Sequence, residues 1–231
     1  MSYEIGRLTD ELYAIAVWDE EFNTLNNCYV LKEAQHAVLI DSGKAAHSHT
    51  LVKALTQLDV LPANISLILT THGHKDHVGG AATFAHATRL IAEKDMYHLD
   101  DSLRPLFAPL PESVSELGFE IIPLGHHTKG HTAYYNLQTK ALFCGDYLTF
   151  YGEKTPTLGL VTTGEHLLEK AIDNVHRWLE SPAVQARYDT IKFRQGLHRL
   201  ADLDVEFLCT GHGPVIKGPL AHELLHKLAQ L

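Results

Sequence analysis

A chain of 231 residues, 45% hydrophobic and 20% charged, has the material for a full apolar core and the balance of an ordinary globular protein. No apolar run approaches the roughly 20 residues a membrane span needs, so no membrane segment is expected. The formal net charge of −9 argues against nucleic acid as the main partner, because phosphate binding needs a basic footprint.

Taken in chain order, Met1-Ser2-Tyr3-Glu4-Ile5 shows no basic region followed by an apolar stretch, so a secretory signal is not expected. Cys28, Cys144 and Cys209 are odd in number, form no CxxC pair and sit in apolar runs. They read as buried free thiols and point to a reducing, cytoplasmic setting. Residues 11–18 and 27–31 alternate or run apolar, and residues 36–41 lead into Asp41-Ser42-Gly43, a strand ending in a turn. Residues 49–58 place Leu51, Val52, Ala54, Leu55 and Leu58 at helical spacing. Residues 65–70 read as a buried strand that runs into His72-Gly73-His74-Lys75-Asp76-His77. Val78-Gly79-Gly80 and residues 81–85 then read as a tight turn into a helix, followed by a short strand at 88–92.

Residues 100–118 carry three prolines with Leu106 and Phe107 among them, the composition of a semi-rigid lid or binding loop. Strand patterns resume at 119–124, 132–137 and 141–144. Residues 164–203 are helical with a break near Ser181-Pro182, 205–209 form a further strand, and 222–228 a final helix. With no linker in sight, residues 1–231 read as one domain of two mixed βα halves facing each other across a sheet pair, with a helical insertion at about 164–203.

The six-residue stretch from His72 to His77 carries the chemistry. Three imidazoles and a carboxylate on a loop leaving a strand suit a borderline-soft divalent ion such as zinc. With 17 histidines in the chain, coincidence has to be weighed, and the strand before the motif and the glycine turn after it count against coincidence. Three more segments place ligand-type residues after strands: Gly130-His131-Thr132, Cys144-Gly145-Asp146 and Gly211-His212-Gly213-Pro214.

On these four motifs, in this order and over nearly the whole length, the chain resembles the metallo-β-lactamase-fold hydrolase superfamily, in its glyoxalase II/lactonase-like branch. The resemblance implies an α/β (αββα) sandwich of two mixed sheets with helices on both outer faces. It implies one metal on His72, His74 and His131, a second on Asp76, His77 and His212, and Asp146 bridging the two. Asp41 matches the aspartate that orients a ligand imidazole from behind. His127 competes with His131 for the third position; Gly125 and Gly130 mark a loop there, and the match favours the histidine between Gly130 and Thr132.

Such a site implies two zinc ions, with iron, manganese or a mixed pair as alternatives, and a metal-bridging hydroxide as nucleophile, oriented by Asp76. The expected reaction is hydrolysis of an ester, thioester, lactone or related bond in a small molecule. Two loops, 100–118 and 147–163, are expected to set substrate choice through Phe107, Tyr147, Phe150 and Tyr151. The first alternative is an oxidoreductase resembling the mononuclear-iron persulfide dioxygenases, with iron on His72, His131 and Asp146. Further off stand a phosphodiesterase or nuclease and a non-catalytic binding module. A second copy of the chain is carried as a candidate partner, the 164–180 helix being one surface for it.

Overall fold

The computed structural model describes residues 2–115, 118–150 and 159–231. The first half builds β1 (Tyr3–Arg7), β2 (Leu12–Asp19), β3 (Thr24–Lys32), β4 (Ala37–Ile40), α1 (Ser48–Gln57), β5 (Ile65–Leu69), α2 (Lys75–Val78), β6 (Thr88–Ile91) and β7 (Ala108–Pro109). The second builds β8 (Phe119–Pro123), β9 (Thr132–Asn136), β10 (Ala141–Gly145), β11 (Val161–Thr162), α3 (Glu165–Glu180), α4 (Pro182–Arg187), α5 (Thr190–Ala201), β12 (Phe207–Thr210), β13 (Val215–Lys217) and α6 (Pro219–Leu228).

The strands form two mixed sheets. One runs β1-β2-β3-β4-β5-β6-β7, antiparallel as far as β4 and parallel from β4 onward; the other runs β11-β13-β12-β10-β9-β8. Side-chain alternation in β2 shows why they stack. Leu12, Ala14 and Ala16 face the space between the sheets, with Phe143, Cys209 and Val215 from the other side, while Ile15 faces outward onto Leu51 and Leu55 of α1. Tyr29 and Phe143 meet edge to face across the inter-sheet layer, ring centres 5.1 Å apart. A third cluster packs Leu142 and Leu208 of the second sheet against Leu167 of α3, Leu197 of α5 and Leu224 of α6. The result is the four-layer αββα sandwich that the resemblance implied.

Two local expectations change. Residues 81–85 form only a single 3₁₀ turn, Ala81–Thr83, because Phe84 is fully buried and turns the chain at once into β6. The short helix of this region lies earlier, inside the histidine motif, as α2. The described part of the proline-rich 100–118 segment lies against the first sheet. Phe107 packs into the core behind the first sheet with Leu99 and Leu103, and Leu110 N–H donates to the Ile91 carbonyl, which lays β7 along the sheet edge.

At one end of the sandwich the two sheets are tied together by polar groups. Asn27 Nδ2 donates to the Thr210 and Gly213 carbonyls at 3.0 and 2.8 Å, and Tyr29 Oη donates to the Thr210 carbonyl at 2.7 Å. From the other direction Tyr134 Oη donates to the Thr70 carbonyl and Thr132 N–H to the Thr71 carbonyl. All these bonds are buried, and a buried polar group left unpaired is costly, so they fix how the strand ends meet. The histidine motif leaves β5 at this end.

Candidate metal centre

Four strand ends deliver the site. Thr70, Thr71 and His72 follow β5, Asp41 follows β4, Gly145 and Asp146 end β10, and Gly211 and His212 follow β12. Asp41 sits at φ +56°, a backbone conformation that aspartate tolerates better than most residues. That turn aims its carboxylate back under the motif. Oδ1 accepts Thr71 N–H at 2.8 Å, and Oδ2 accepts Thr71 Oγ1 at 2.7 Å and lies 2.8 Å from His77 Nδ1. His212 Nδ1 is held in the same way by the Leu25 carbonyl at 3.0 Å, and His72 Nδ1 by Thr71 Oγ1 at 3.1 Å. Each ring is thus gripped at Nδ1 and presents Nε2 to the interior.

Two groups of donor atoms result: His72, His74 and His127 in one, and Asp76, His77, Asp146 and His212 in the other, with the atoms of each within 4.8 Å of one another. Asp146 stands between them. Its Oδ1 is 3.3 Å from His77 Nε2 and 3.4 Å from His212 Nε2; its Oδ2 is 3.9 Å from His72 Nε2 and 3.5 Å from His127 Nε2. His72 Nε2 and His77 Nε2 are buried and make no hydrogen bond. Buried imidazole nitrogens converging on a carboxylate, with nothing else to bond, fit a pair of divalent ions, and the chain has a dinuclear metal-binding site.

Charge follows from the same geometry. Burial alone would lower the His77 and His212 pKa values, but Asp146 outweighs it for both, helped by Asp41 at His77 and by Asp76 at His212. His77 is raised and His212 reaches about 9. Burial works against the Asp76 carboxylate, yet His212 and His77 bring it down to about 2. Burial holds His72 below its ordinary range, with His77 adding to the effect, and burial is the main cause at His127, which falls to about 4.

His131 sits beside the centre, its ring centre 5.1 Å from that of His72. Its Nε2 lies 3.0 Å from the Cys144 carbonyl, and it belongs to neither donor group. Its Nδ1 is buried and makes no hydrogen bond among the described residues. His131 carbonyl accepts Leu124 and Gly125 N–H, and Thr132 opens β9, so His131 is already tied into the sheet. His127 lies before the turn, free of the ladder, and its Nε2 is 2.9 Å from His74 Nδ1.

Asp95 is a residue that the sequence did not single out. Fully buried, it accepts Gly73 N–H at 2.9 Å, Gly130 N–H at 2.6 Å and Thr128 Oγ1 at 2.5 Å, clamping the first ligand loop to the third. The glycine in His72-Gly73-His74 follows from this clamp, since a Cβ at Gly73 would lie 2.8 Å from the Asp95 carbonyl oxygen.

The substrate-side expectations divide. Phe107 lies in the core, away from the metal centre's cavity. Tyr147 and Phe150 are buried but also line a cavity of about 290 Å³ that opens beside His127 and Asp146. The Tyr147 hydroxyl donates to the Phe193 carbonyl and so anchors α5. Tyr151 lies outside the described residues. The three cysteines are free and buried, and burial raises their thiols, Cys144 to about 12.

Comparison with known proteins matches residues 23–212 to the metallo-beta-lactamase superfamily. Among curated relatives, the chain is 25% identical over 217 residues to the uncharacterized protein YobT of Bacillus subtilis, covering 84% of this chain and 85% of that one. It is 30% identical over 139 residues to a hydroxyacylglutathione hydrolase of Albidiferax ferrireducens, covering 54% of this chain and 48% of the relative, about half its length. Among solved structures, the flavodiiron protein from Giardia intestinalis superposes with a TM-score of 0.76 at 14% identity, covering 100% of this chain and 59% of that one, a likeness of fold.

Proposed function

Since this chain belongs to the metallo-beta-lactamase superfamily, we propose that it is a dinuclear metal hydrolase acting on an ester, thioester or lactone of a small molecule. In this reading His72, His74 and His127 would hold one ion and Asp76, His77 and His212 the other, with Asp146 facing both groups. The observation that carries it is the division of the Asp146 carboxylate, one oxygen toward each group of donors. A pair of zinc ions bound here supplies Lewis acidity and water deprotonated near neutral pH. The chain's own residues do the rest. Asp41, Thr71 and the Leu25 carbonyl fix three imidazole tautomers so that Nε2 stays available. Asp76, mostly ionised down to a pH of about 2, orients the reacting water by accepting its hydrogen bond. The cavity beside Asp146 receives the substrate. The named activity of the hydroxyacylglutathione hydrolase relatives supports the hydrolytic direction.

The fold likeness to flavodiiron proteins favours a second reading, iron in the same donor groups and oxidative chemistry. In its one-iron form the ligands would be His72, His127 and Asp146, with His127 replacing His131. One preparation separates the two readings. Protein purified without added metal is assayed for bound ions, then screened for hydrolysis of thioesters, lactones, esters, β-lactams and phosphodiesters and for oxygen uptake with a persulfide. About two zinc per chain with chelator-sensitive hydrolysis supports the first reading. Iron with oxygen uptake and no hydrolysis overturns it.

A further inference from the structure

Helix α3 presents Leu167, Ala171, Val175 and Trp178 on one face, at intervals of three to four residues. Such a stripe ordinarily presses flat against a sheet. Here these four residues line the 290 Å³ cavity, and Leu224 and Leu228 of α6 line it with them. Its aromatic wall is continuous: the His126 ring lies 4.9 Å from Trp178, 4.7 Å from Phe193 and 5.6 Å from Tyr188, centre to centre. The far end is marked by Asn174 and Lys170, both exposed, while the near end is His127 and Asp146 of the metal centre. Apart from Asp146 no carboxylate lines the cavity among the described residues.

We propose, resting on the hydrolase reading, that this cavity is the acyl subsite and takes an aryl or branched-alkyl acyl group, with its carbonyl carbon at the Asp146–His127 end. Three features carry the assignment. The cavity is at the lower end of the roughly 300–1,000 Å³ range of ligand pockets, a fit for one ring and a short linker. Its walls are aromatic and aliphatic, which reward an apolar group and offer ring faces for offset or edge contact. It is continuous with the metal centre, so an acyl group seated there puts its scissile bond beside the bridging carboxylate. In the reaction, the acyl carbon–oxygen bond breaks and the acyl carbon takes the hydroxyl of water. The leaving alcohol takes the remaining proton, and the carboxylic acid product ionises in solution.

The test uses the metal-loaded protein and 4-nitrophenyl esters of acetic and phenylacetic acids. Phenylacetyl is expected to exceed acetyl by tenfold or more in kcat/KM. Ala171→Phe, which fills the cavity, is expected to lower the phenylacetyl-to-acetyl ratio of kcat/KM tenfold or more, with metal content unchanged. Should that variant fail to fold, Trp178→Ala carries the same comparison and is expected to erase the phenylacetyl preference. Binding is read separately. Trp18 and Trp178 are the only two tryptophans, so in a Trp18→Phe background the neutral probe phenylacetamide is expected to quench Trp178 saturably, with a Kd raised at least tenfold by Ala171→Phe. Quenching without cleavage of any ester overturns the hydrolase reading and leaves the apolar subsite standing. Cleavage with no acyl preference, or equal losses on every ester, overturns the subsite.

Discussion

His127 and His131 carry the same side chain four residues apart, and the backbone gives them different surroundings. His127 reaches His74 and Asp146 from a loop, whereas His131 turns to the Cys144 carbonyl from the start of a strand. His127→Ala is therefore expected to lower affinity for one of two ions by far more than tenfold. His131→Ala is expected to leave both ions in place and to cost about 1–3 kcal/mol of stability through the space it empties and the bond it loses. Competition with a chromophoric chelator, paired with denaturant unfolding, separates the two; equal metal loss from both would contradict the geometry. The same assay ranks two aspartates. Asp146→Asn weakens a group that faces both sets of donors and should release both ions. Asp41→Asn disturbs only the grip on His77 and Thr71 and should cost about 10–100-fold in affinity at one site.

Elements meet at this centre through tight backbone approaches. A Cβ at Gly80 would lie 2.2 Å from the Ser42 carbonyl oxygen, so the end of the histidine motif can dock under the β4 turn only as glycine. Gly80→Ala is expected to destabilise the fold by about 1–3 kcal/mol, or to move α2 and weaken metal binding, both visible in one thermal-melt series with and without metal. On the opposite flank, Asp95 receives three hydrogen bonds from two ligand loops. Asp95→Asn keeps the size but turns one acceptor into a donor facing donors. A loss of about 3 kcal/mol in stability follows, together with weaker binding at the His72–His74–His127 group. Unchanged stability in Asp95→Asn would remove the clamp from the account.

The whole molecule shows these local charges as pH dependence. In the metal-free protein His212, raised to about 9, stabilises the fold fully below its unfolded pKa near 6.5, and that contribution is lost as pH rises toward 9. His127 and His126, both lowered to about 4, act in the opposite sense: they resist protonation in the fold, so stability is lost as pH falls from 6.5 toward 4. Asp76, lowered to about 2, adds a further loss below pH 4. The metal-free protein should thus be most stable near pH 6.5, with the alkaline decline on the order of 3 kcal/mol. Metal loading takes over the role of the protons on His77 and His212, so binding at pH 7 should release about two protons, measurable by calorimetry in buffers of different ionisation enthalpy. At 100 times its Kd each ion should add about 2.7 kcal/mol, and the melting temperature should rise about 5–10 °C per ion. A flat pH–stability curve for the metal-free protein would contradict the charge assignment.

What the amino-acid order determined by itself was local and repetitive. The 2-residue alternation of β2, the helical spacing of α1 and the Ser181-Pro182 break between α3 and α4 are all readable along the chain, because each depends on neighbours a few residues away. Six of the seven residues in the two donor groups were legible for the same reason: His72, His74, Asp76, His77, Asp146 and His212 each lie within eight residues after a strand, where loops carry chemistry. What only the tertiary structure decided were choices between chemically equal residues and the uses of distant ones. His127 faces His74 and Asp146 while His131, where the β9 ladder begins, faces the Cys144 carbonyl, and Phe107 went to the core because sheet pairing laid β7 along β6. Asp95 became a clamp because two loops fold onto it from 22 and 35 residues away. Periodicity is silent on such matters, since an imidazole in a sheet and one in a loop read the same until long-range hydrogen bonds fix the backbone that holds them.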